Sequence, residues 1–366
     1  MSDLKLHMKK RLDWVDISKG IAILSVVLLH TDYIFPSTAF MPINAAVGGG
    51  WHVAVFFLIG GFFLKESQLC TPKAFIWGKA KSLYLLATYI YIPAVLLHNL
   101  FFSIGWYDSS ILYGGKHVFT YSGIELAKSL VAALCCAGRE PIVGALWFVY
   151  VLFFAMCGLS LLSWFTKRIS EKNSPFLLPI LTLLLCIIAY ILTKNIGFNI
   201  PRFNNTFTAM WLIYVGYWIR NKSNLDFNNI WLFIGFFILF THYCMSQPKG
   251  MSLNSNNYSD VISLTVGSVS ALYLICSLSI KIESTKIGSI LRECGKESFY
   301  IMALQFVGFK LGCLLLNIIG CQLPVEKLLA PTEDKIYLVL YFLFWGSALP
   351  ILFIKIFRKV KMKIFL

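Results

Sequence analysis

Apolar residues recur along the chain in continuous runs of about 20 residues, separated by short polar and charged stretches. A run of that length spans the hydrocarbon core of a bilayer when it forms an α-helix. The pattern predicts an all-α, polytopic membrane protein with about ten transmembrane helices, in one transmembrane domain over residues 1–366 with no appended soluble domain. The predicted spans lie near residues 16–35, 46–64, 82–102, 142–165, 175–193, 205–219, 229–245, 260–280, 298–319 and 336–354.

Composition and charge agree with this prediction. The chain is 58% hydrophobic and 13% charged, with a formal net charge of +15. A basic chain can bind nucleic acid, but here the charge follows the predicted topology. With the N-terminus in the cytoplasm, 22 of the 32 Lys and Arg residues fall on the inner side and eight on the outer side. This bias is the positive-inside rule, so we expect cytoplasmic N- and C-termini, contact with membrane lipids and no nucleic-acid partner.

The ten cysteines are scattered and mostly lie within predicted spans. No pair has metal-ligand spacing, so we expect no metal site and no disulfide framework. The first apolar run lacks a small-residue cleavage site and is predicted to be a retained span.

Two polar segments lie on the predicted outer side: 103–141, which is the longest connector, and "SQPKGMSLNSNNYSD" at 246–260, which is rich in Asn and Ser. Within the first, residues 124–137 predict a short helix that either lies on the membrane or re-enters it. Each segment is either a plain connector or a cover over a site.

The sequence contains no convincing internal repeat, which argues against a transporter built from duplicated halves.

The first predicted span, "RLDWVDISKGIAILSVVLLH", carries a polar stripe. At about 100° and 1.5 Å per residue, Lys19 and His30 fall within about 20° of each other and roughly 16 Å apart along the axis. Asp16 lies on the same stripe and can pair with Lys19 three residues later.

His30 is predicted to lie well inside the membrane, where ionisable side chains usually face the bundle interior and serve a function. A neutral imidazole there can act as a general base towards a hydroxyl that attacks an activated acyl group. Each functional interpretation has a structural alternative. His30 can be a packing histidine, and Asp13, Asp16 and Lys19 can be charged residues at the membrane boundary whose side chains reach water.

The stretch "DWVDISKGIAILSVVLLH" resembles the first span of proteins in the acyltransferase-3 family of integral membrane O-acyltransferases, in particular its fucose-4-O-acetylase-like branch. That family has a basic residue, ten intervening residues and a histidine on the first span, which Lys19 and His30 match. The stretch "WHVAVFFLIGGFFLK" resembles the second-span motif, although Gly60 replaces its usual serine. The stretches "GKAKSLYLLATYIY", "GALWFVYVLFF" and "TAMWLIYVGYWIRNK" resemble the motifs of later spans. In "GKESFYIMALQF", Gln305 occupies the position of a family histidine.

The resemblance implies a membrane O-acetyltransferase that moves acetyl from acetyl-CoA to a sugar hydroxyl of a bacterial surface polysaccharide or its lipid-linked precursor, at the inner membrane. His30, Asp16 and Lys19 are the implied catalytic group. The donor phosphates would meet Lys79 and Lys81, with Lys73 behind them, although these lysines are equally accounted for by the positive-inside rule.

The acceptor sugar would meet aromatic and polar side chains on the outer side: His52, Arg139, Glu140, Trp147, Phe148 and Arg202. Trp147 and Phe148 can instead be interfacial anchors, and Arg202 can contact a lipid headgroup. His30 could be a base or a transient acyl carrier. Two other functions stay open: a transporter or flippase, and an inactive acyltransferase-like assembly partner.

Overall fold

The structure is a computed structural model that describes residues 12–364, except 37, 39, 41, 201, 224, 249 and 250. It is mostly helical, with one short antiparallel hairpin of β1 (Leu112–Tyr113) and β2 (Lys116–His117). A π-helical turn (Ala80–Tyr84) joins α5 to α6, and a 3-10 turn (Pro141–Leu146) precedes α9. The helices in chain order are α1 (Asp13–Leu29), α2 (Ile43–Gly48), α3 (Trp51–Phe62), α4 (Glu66–Leu69), α5 (Pro72–Lys79), α6 (Leu85–Leu96), α7 (His98–Ser103), α8 (Gly123–Leu134), α9 (Trp147–Ile169), α10 (Ser174–Lys194), α11 (Asn204–Lys222), α12 (Ile230–Ser246), α13 (Val261–Ile282), α14 (Lys286–Lys296), α15 (Ser298–Ile318) and α16 (Ile336–Ile364).

Six helical segments in the described part of the chain are long and apolar enough to cross a bilayer, which makes the chain a polytopic membrane protein. They are Ile43–Phe62, Pro141–Ile169, Ser174–Lys194, Val261–Ile282, Ser298–Ile318 and Ile336–Val360. The other four predicted spans also fall on helices. Helices α1 and α12 have only 17 residues each, the third predicted span begins in the π turn and is divided at Leu97 between α6 and α7, and α11 is more polar. The total of ten and the side on which each terminus lies stay predictions, and residues 1–11 lie outside the described chain.

The first two predicted spans differ in detail from the helices observed. The first helix ends at Leu29 rather than near residue 35, because the chain beyond it pairs with a distant segment. The carbonyl of His30 accepts from Ala330 N–H at 3.0 Å, and Asp32 N–H donates to the Ala330 carbonyl at 3.0 Å. The second predicted span is divided into α2 and α3 at Gly50, whose φ of 78° is left-handed.

The connector over residues 103–141 has ordered local structure. The helix predicted within 124–137 is confirmed as α8, whose first turn is capped because the Ser122 hydroxyl accepts from Glu125 N–H. The hydroxyl of Tyr84 donates to the Leu134 carbonyl at 2.8 Å and ties the end of α8 to the π-helical turn before α6.

Helix α14 was not predicted, although it fixes the position of α1. The two helices approach so closely that a β-carbon at Gly295 would lie 1.7 Å from the Asp16 carbonyl oxygen, and one at Gly20 would lie 2.0 Å from the Leu291 carbonyl oxygen. The Ser18 hydroxyl donates to Ser279 of α13 at 3.0 Å, on the buried side of α1. The segment that carries Asp16 and Lys19 is therefore held by backbone-to-backbone packing.

A second close contact, between α3 and α11, accounts for two glycines in the stretches that resemble family motifs. A β-carbon at Gly61 of α3 would lie 1.8 Å from the Ile213 carbonyl oxygen, and one at Gly216 of α11 would lie 1.9 Å from the Leu58 carbonyl oxygen. Gly60 instead faces flexible side chains, and a β-carbon there would meet the Met156 methyl group at 2.9 Å and a Leu152 methyl group at 3.4 Å. The packing therefore requires glycine at 61 and 216 more strictly than at 60.

We expect Gly295→Ala to destabilise the protein by about 1–3 kcal/mol or more, because the new methyl group forces α14 away from α1. Gly78→Ala is the matched control, since a β-carbon at Gly78 meets nothing within 4 Å and alanine favours a helix by up to about 1 kcal/mol. Thermal unfolding in detergent, followed by tryptophan fluorescence, measures both changes. An unchanged melting temperature in Gly295→Ala would contradict the close packing described here.

Candidate functional site

Helix α1 joins two separate spaces at opposite ends of the helical bundle. We name these the Lys19 end, where α1 begins, and the His30 end, where it finishes. The space at the His30 end, the His30 cavity, has a volume of about 160 Å³. It is lined by Val26, Leu29, His30, Gly48, Gly50, His52, Val53, Phe56, Ala145, Trp147, Phe148, Met251, Ser252, Leu253, Asn254 and Met302. Its size is below the roughly 300–1,000 Å³ of pockets that enclose a whole small molecule, so it suits reacting groups rather than a whole glycan.

His30 directly follows the last residue of α1, and its ring is oriented by α15. Its Nδ1 lies 3.2 Å from Oε1 of Gln305. The ring of Phe306 meets the imidazole edge-on, at 4.9 Å between centroids and 71° between planes. The His30 ring is therefore held on one side by α15, while the histidine also lines the cavity.

Three other side chains predicted from sequence come together with His30 in this cavity: His52, Trp147 and Phe148. His52 is 1% exposed, and neither ring nitrogen has a hydrogen-bond partner among the described residues. Phe148 is stacked obliquely on Phe57 at 4.8 Å. The cavity thus combines aromatic walls with imidazole nitrogens available to a ligand.

Residues 251–254 of the second polar segment line part of this cavity, with Met251, Ser252, Leu253 and Asn254. Arg202 donates from Nη1 to Asn254 Oδ1 at 3.2 Å, and Asn205 donates to the Asn254 carbonyl at 3.2 Å. Arg202 adopts a left-handed backbone conformation with φ of 71°, which is uncommon for a residue with a side chain. Arg202 therefore reaches the cavity through Asn254, and this segment is pinned to the start of α11.

The space at the Lys19 end, the Lys19 cleft, is larger, at about 730 Å³. Lys19 donates to Asp16 Oδ1 at 3.1 Å, as the three-residue spacing predicts, and Asp16 is 2% exposed. The Arg220 guanidinium lies over the Phe62 ring at 5.2 Å. Three cationic side chains, those of Lys19, Lys65 and Arg220, thus line an open cleft together with one acidic side chain, that of Asp16. The lining residues of the cleft are Leu12, Val15, Asp16, Lys19, Phe62, Phe63, Leu64, Lys65, Arg220 and Asn221.

Lys73, Lys79 and Lys81 do not line the Lys19 cleft. Lys79 lies in a separate pocket of about 380 Å³ beside its cation–π partner Phe75. Lys81 lies over the Trp77 ring at 5.0 Å, and Lys73 lines an open groove with Trp77. The π-helical turn that begins at residue 80 separates Lys79 from Lys81.

Glu140 and Arg139 lie outside the His30 cavity. The Glu140 carboxylate is 1% exposed and accepts from the Tyr107 hydroxyl at 2.6 Å, and His98 Nδ1 lies 2.9 Å from its other oxygen. Tyr121 stacks on the His98 ring at 3.6 Å. Arg139 is exposed and donates to the Gly114 carbonyl of the hairpin at 3.3 Å. Glu140 is therefore the centre of a network that anchors the connector before α9.

Lys310 forms a second anchor at the His30 end. This lysine of α15 is 1% exposed, and its ammonium lies within 2.6–2.9 Å of the carbonyl oxygens of Trp106, Val325, Glu326 and Lys327. The segment it binds continues to Ala330, which pairs with the backbone around His30. Lys310 thus contributes indirectly to the position of the His30 backbone.

Sequence reasoning gave no role to several residues of this arrangement. The sequence marks Gln305 only as a departure from the family pattern, and it assigns no role to His98 or Arg220. No side-chain spacing signals the role of Gln305, because its partner on α15 is the backbone carbonyl of Met302. Among the residues that the structure describes, no group of three or more His, Cys, Asp and Glu side chains is placed to hold a metal ion.

The structure places a cavity with histidines and aromatic walls at one end of α1 and a cationic cleft at the other. Comparison with protein families gives the class of protein, because the acyltransferase-3 model, described as an acyltransferase domain, matches residues 12–354. The chain belongs to the acyltransferase-3 family and is a membrane acyltransferase. Searches of curated proteins and of solved structures found no match.

We expect Lys310→Met to loosen the segment that pairs with the backbone around His30. The substitution keeps an apolar stem but leaves buried carbonyls without a donor, at about 1–3 kcal/mol each. Hydrogen exchange measured by mass spectrometry should become faster across residues 325–332, and the melting temperature should fall. Lys335→Met is the control, because Lys335 is 47% exposed and pairs only with Glu333 at 3.3 Å among the described residues. Equal exchange in both variants would show that the Lys310 contacts do not hold the segment.

Proposed function

We propose that this acyltransferase moves an acetyl group from acetyl-CoA to a sugar hydroxyl of a bacterial surface polysaccharide, or of its lipid-linked precursor, at the inner membrane. The observation that supports it most directly is the placement of His30 in an aromatic-walled cavity, at the far end of the helix that carries Lys19 into a cationic cleft. Family membership supplies acyl transfer, and the two spaces suggest separate places for donor and acceptor.

In the proposed reaction, Nε2 of His30 takes the proton from the sugar hydroxyl as its oxygen attacks the thioester carbonyl carbon. The new ester C–O bond forms, the C–S bond breaks, and the departing thiolate of CoA recovers a proton. A base positioned in this way contributes about 10²- to 10⁴-fold to the rate. Transient acylation of His30 is the alternative route to the same products.

The donor is proposed to enter from the cytoplasm at the Lys19 end. Its phosphates suit Lys19, Lys65 and Arg220, because the Lys19 cleft places these three cations around one opening. Lys73, Lys79 and Lys81 remain the other proposed phosphate contacts at this end. About 16 Å of helix separates Lys19 from His30, so the extended arm of CoA would have to carry the thioester along α1.

The acceptor is proposed to approach at the His30 end, where sugar rings can pack on Trp147 and Phe148. His52, Arg202 and Asn205 have buried polar atoms without a hydrogen-bond partner among the described residues, and these atoms can bind hydroxyl groups. Arg139 and Glu140 are proposed to act further out, through the hairpin and the connector before α9. The cavity volume of about 160 Å³ means that most of a glycan would remain outside it.

The first test follows radiolabelled acetyl from acetyl-CoA into glycan, using purified protein in lipid nanodiscs and cell-envelope acceptor. We expect His30→Ala to lower kcat by about 10²-fold or more. His117→Ala is the matched control, because His117 is exposed on the hairpin. If His30→Ala transfers acetyl as fast as wild type, His30 is not part of the chemistry. If wild type itself transfers no acetyl, the remaining functions are acyl transfer from another donor, transport, or an inactive assembly role.

A second test separates the two proposed donor sites. If the Lys19 cleft binds the phosphates, Arg220→Met should raise the KM for acetyl-CoA about tenfold, because a charge-assisted hydrogen bond contributes about 1.5 kcal/mol or more. Lys222→Met is the control, since Lys222 is exposed near the same helix end and does not line the cleft. A higher KM in Lys79→Met or Lys81→Met, with Arg220→Met unchanged, would place the donor at the π-helical turn instead.

A further inference from the structure

Gln305 is a fully buried amide whose two polar atoms face different partners. It is 0% exposed in α15, and its Oε1 lies 3.2 Å from His30 Nδ1. Its Nε2 donates to the Met302 carbonyl at 3.2 Å. The amide cannot be rotated by 180° to exchange its oxygen and nitrogen, because the Met302 carbonyl oxygen only accepts hydrogen bonds and therefore requires the NH₂ group.

This second contact determines the chemistry of the first. With Nε2 committed to Met302, the amide presents its oxygen to His30, and an amide oxygen only accepts. The hydrogen bond therefore requires a proton on Nδ1 of His30. In a neutral imidazole that leaves Nε2 as the nitrogen with the free lone pair, since the partner of one ring nitrogen sets the state of the other.

We infer that Gln305 is a positioning residue that fixes His30 as its Nδ1–H tautomer and so directs the basic Nε2 towards the substrate hydroxyl. This inference rests on the proposed role of His30 as the base. Phe306, next to Gln305, restrains the same ring by its edge-on contact. One face of α15 thus supplies a hydrogen bond and packing that orient the base, in addition to a hydrogen-bond contact of the ring with the Val26 backbone of α1.

An amide differs from the histidine of the family pattern and from the carboxylate that orients histidine in many enzymes. A carboxylate would hold a proton on His30 by its charge, and a second histidine would add another group that titrates. The Gln305 amide orients the ring without doing either. Among the residues that line the His30 cavity, the titratable side chains are then His30 itself and His52 of α3.

The charged groups nearest in the chain are engaged elsewhere. Lys310 of α15 binds carbonyl oxygens of the segment after that helix, and Asp32, two residues after His30, accepts from Thr332 and pairs with Lys327 at 3.7 Å. A change at position 305 therefore acts on a site whose other charges have their own partners.

The test compares Gln305→Leu, Gln305→Glu and Gln305→His with wild type in the acetyl-transfer assay. Gln305→Leu should lower kcat by about 10²-fold with KM values for both substrates changed less than about twofold. Gln305→Glu keeps the shape but adds charge, and its carboxylate favours protonated His30. The acid limb of its pH–rate profile should therefore move up by about one pH unit or more. Gln305→His should recover most of the rate, because an imidazole nitrogen can also accept from Nδ1–H.

Asn317→Leu is the matched control on the same helix. Asn317 is an amide of α15 that bonds only to the Leu323 backbone among the described residues, at 2.5 Å and 2.8 Å, far from His30. Its loss should lower stability without moving the pH–rate profile. If Gln305→Leu does not fold, the Gln305→Glu profile alone decides the question, and a profile equal to that of wild type overturns the inference.

Nitrogen-15 NMR of histidine-labelled protein gives a readout that does not need activity. The His30 signals are those lost in His30→Ala, and wild type should show a protonated Nδ1 and an unprotonated Nε2. The same tautomer in Gln305→Leu would overturn the inference even if no acyl transfer is detected. If His30→Ala abolishes acetyl transfer but Gln305→Leu keeps the full wild-type rate, the inference about Gln305 is overturned and the proposed function stands.

Discussion

The close packing of α1 against α14 is the constraint on which the arrangement of the site depends. A polar stripe in an apolar bundle is stable only where its neighbours are fixed, because charged and polar groups need defined partners away from water. Gly20 and Gly295 let two backbones touch beside Asp16, and Ser18 bonds to Ser279 on the buried side. At the other end, Ala330 pairs with the His30 backbone. Helix α1 is thus fixed at both ends, which sets the separation of the Lys19 cleft and the His30 cavity.

The sequence predicted most helix positions because apolar runs of bilayer length are a strong and local signal. It also predicted the Lys19–Asp16 pair, since a spacing of three residues is enough to bring these side chains together on a helix. The end of α1 could not be predicted, because its partner Ala330 lies about 300 residues further along the chain. Helix α14 was missed since its many polar and charged residues read as a connector.

The site was predictable only as far as single helices determine it. His30, His52 and the adjacent pair Trp147 and Phe148 come from three separate predicted spans, and the fold brings them to one cavity. Lys79 and Lys81 were proposed together as phosphate contacts, but residues two apart do not share a helix face. Each lysine instead lies over the aromatic ring four residues before it, Phe75 and Trp77 respectively. The role of Gln305 depends on the Met302 carbonyl, a backbone atom that no side-chain motif reports.

Two kinds of buried polar group can be told apart at the His30 end. Glu140 and Lys310 are as buried as any residue of the site, but their polar atoms are bound within the protein, and groups satisfied in this way stabilise a scaffold. His52, Arg202 and Asn205 are different, because each keeps a buried atom without a partner among the described residues. Such atoms are costly unless something binds them. Their position on the His30 cavity, directly or through Asn254, favours this cavity over the Glu140 network as the place where a polar acceptor meets the base.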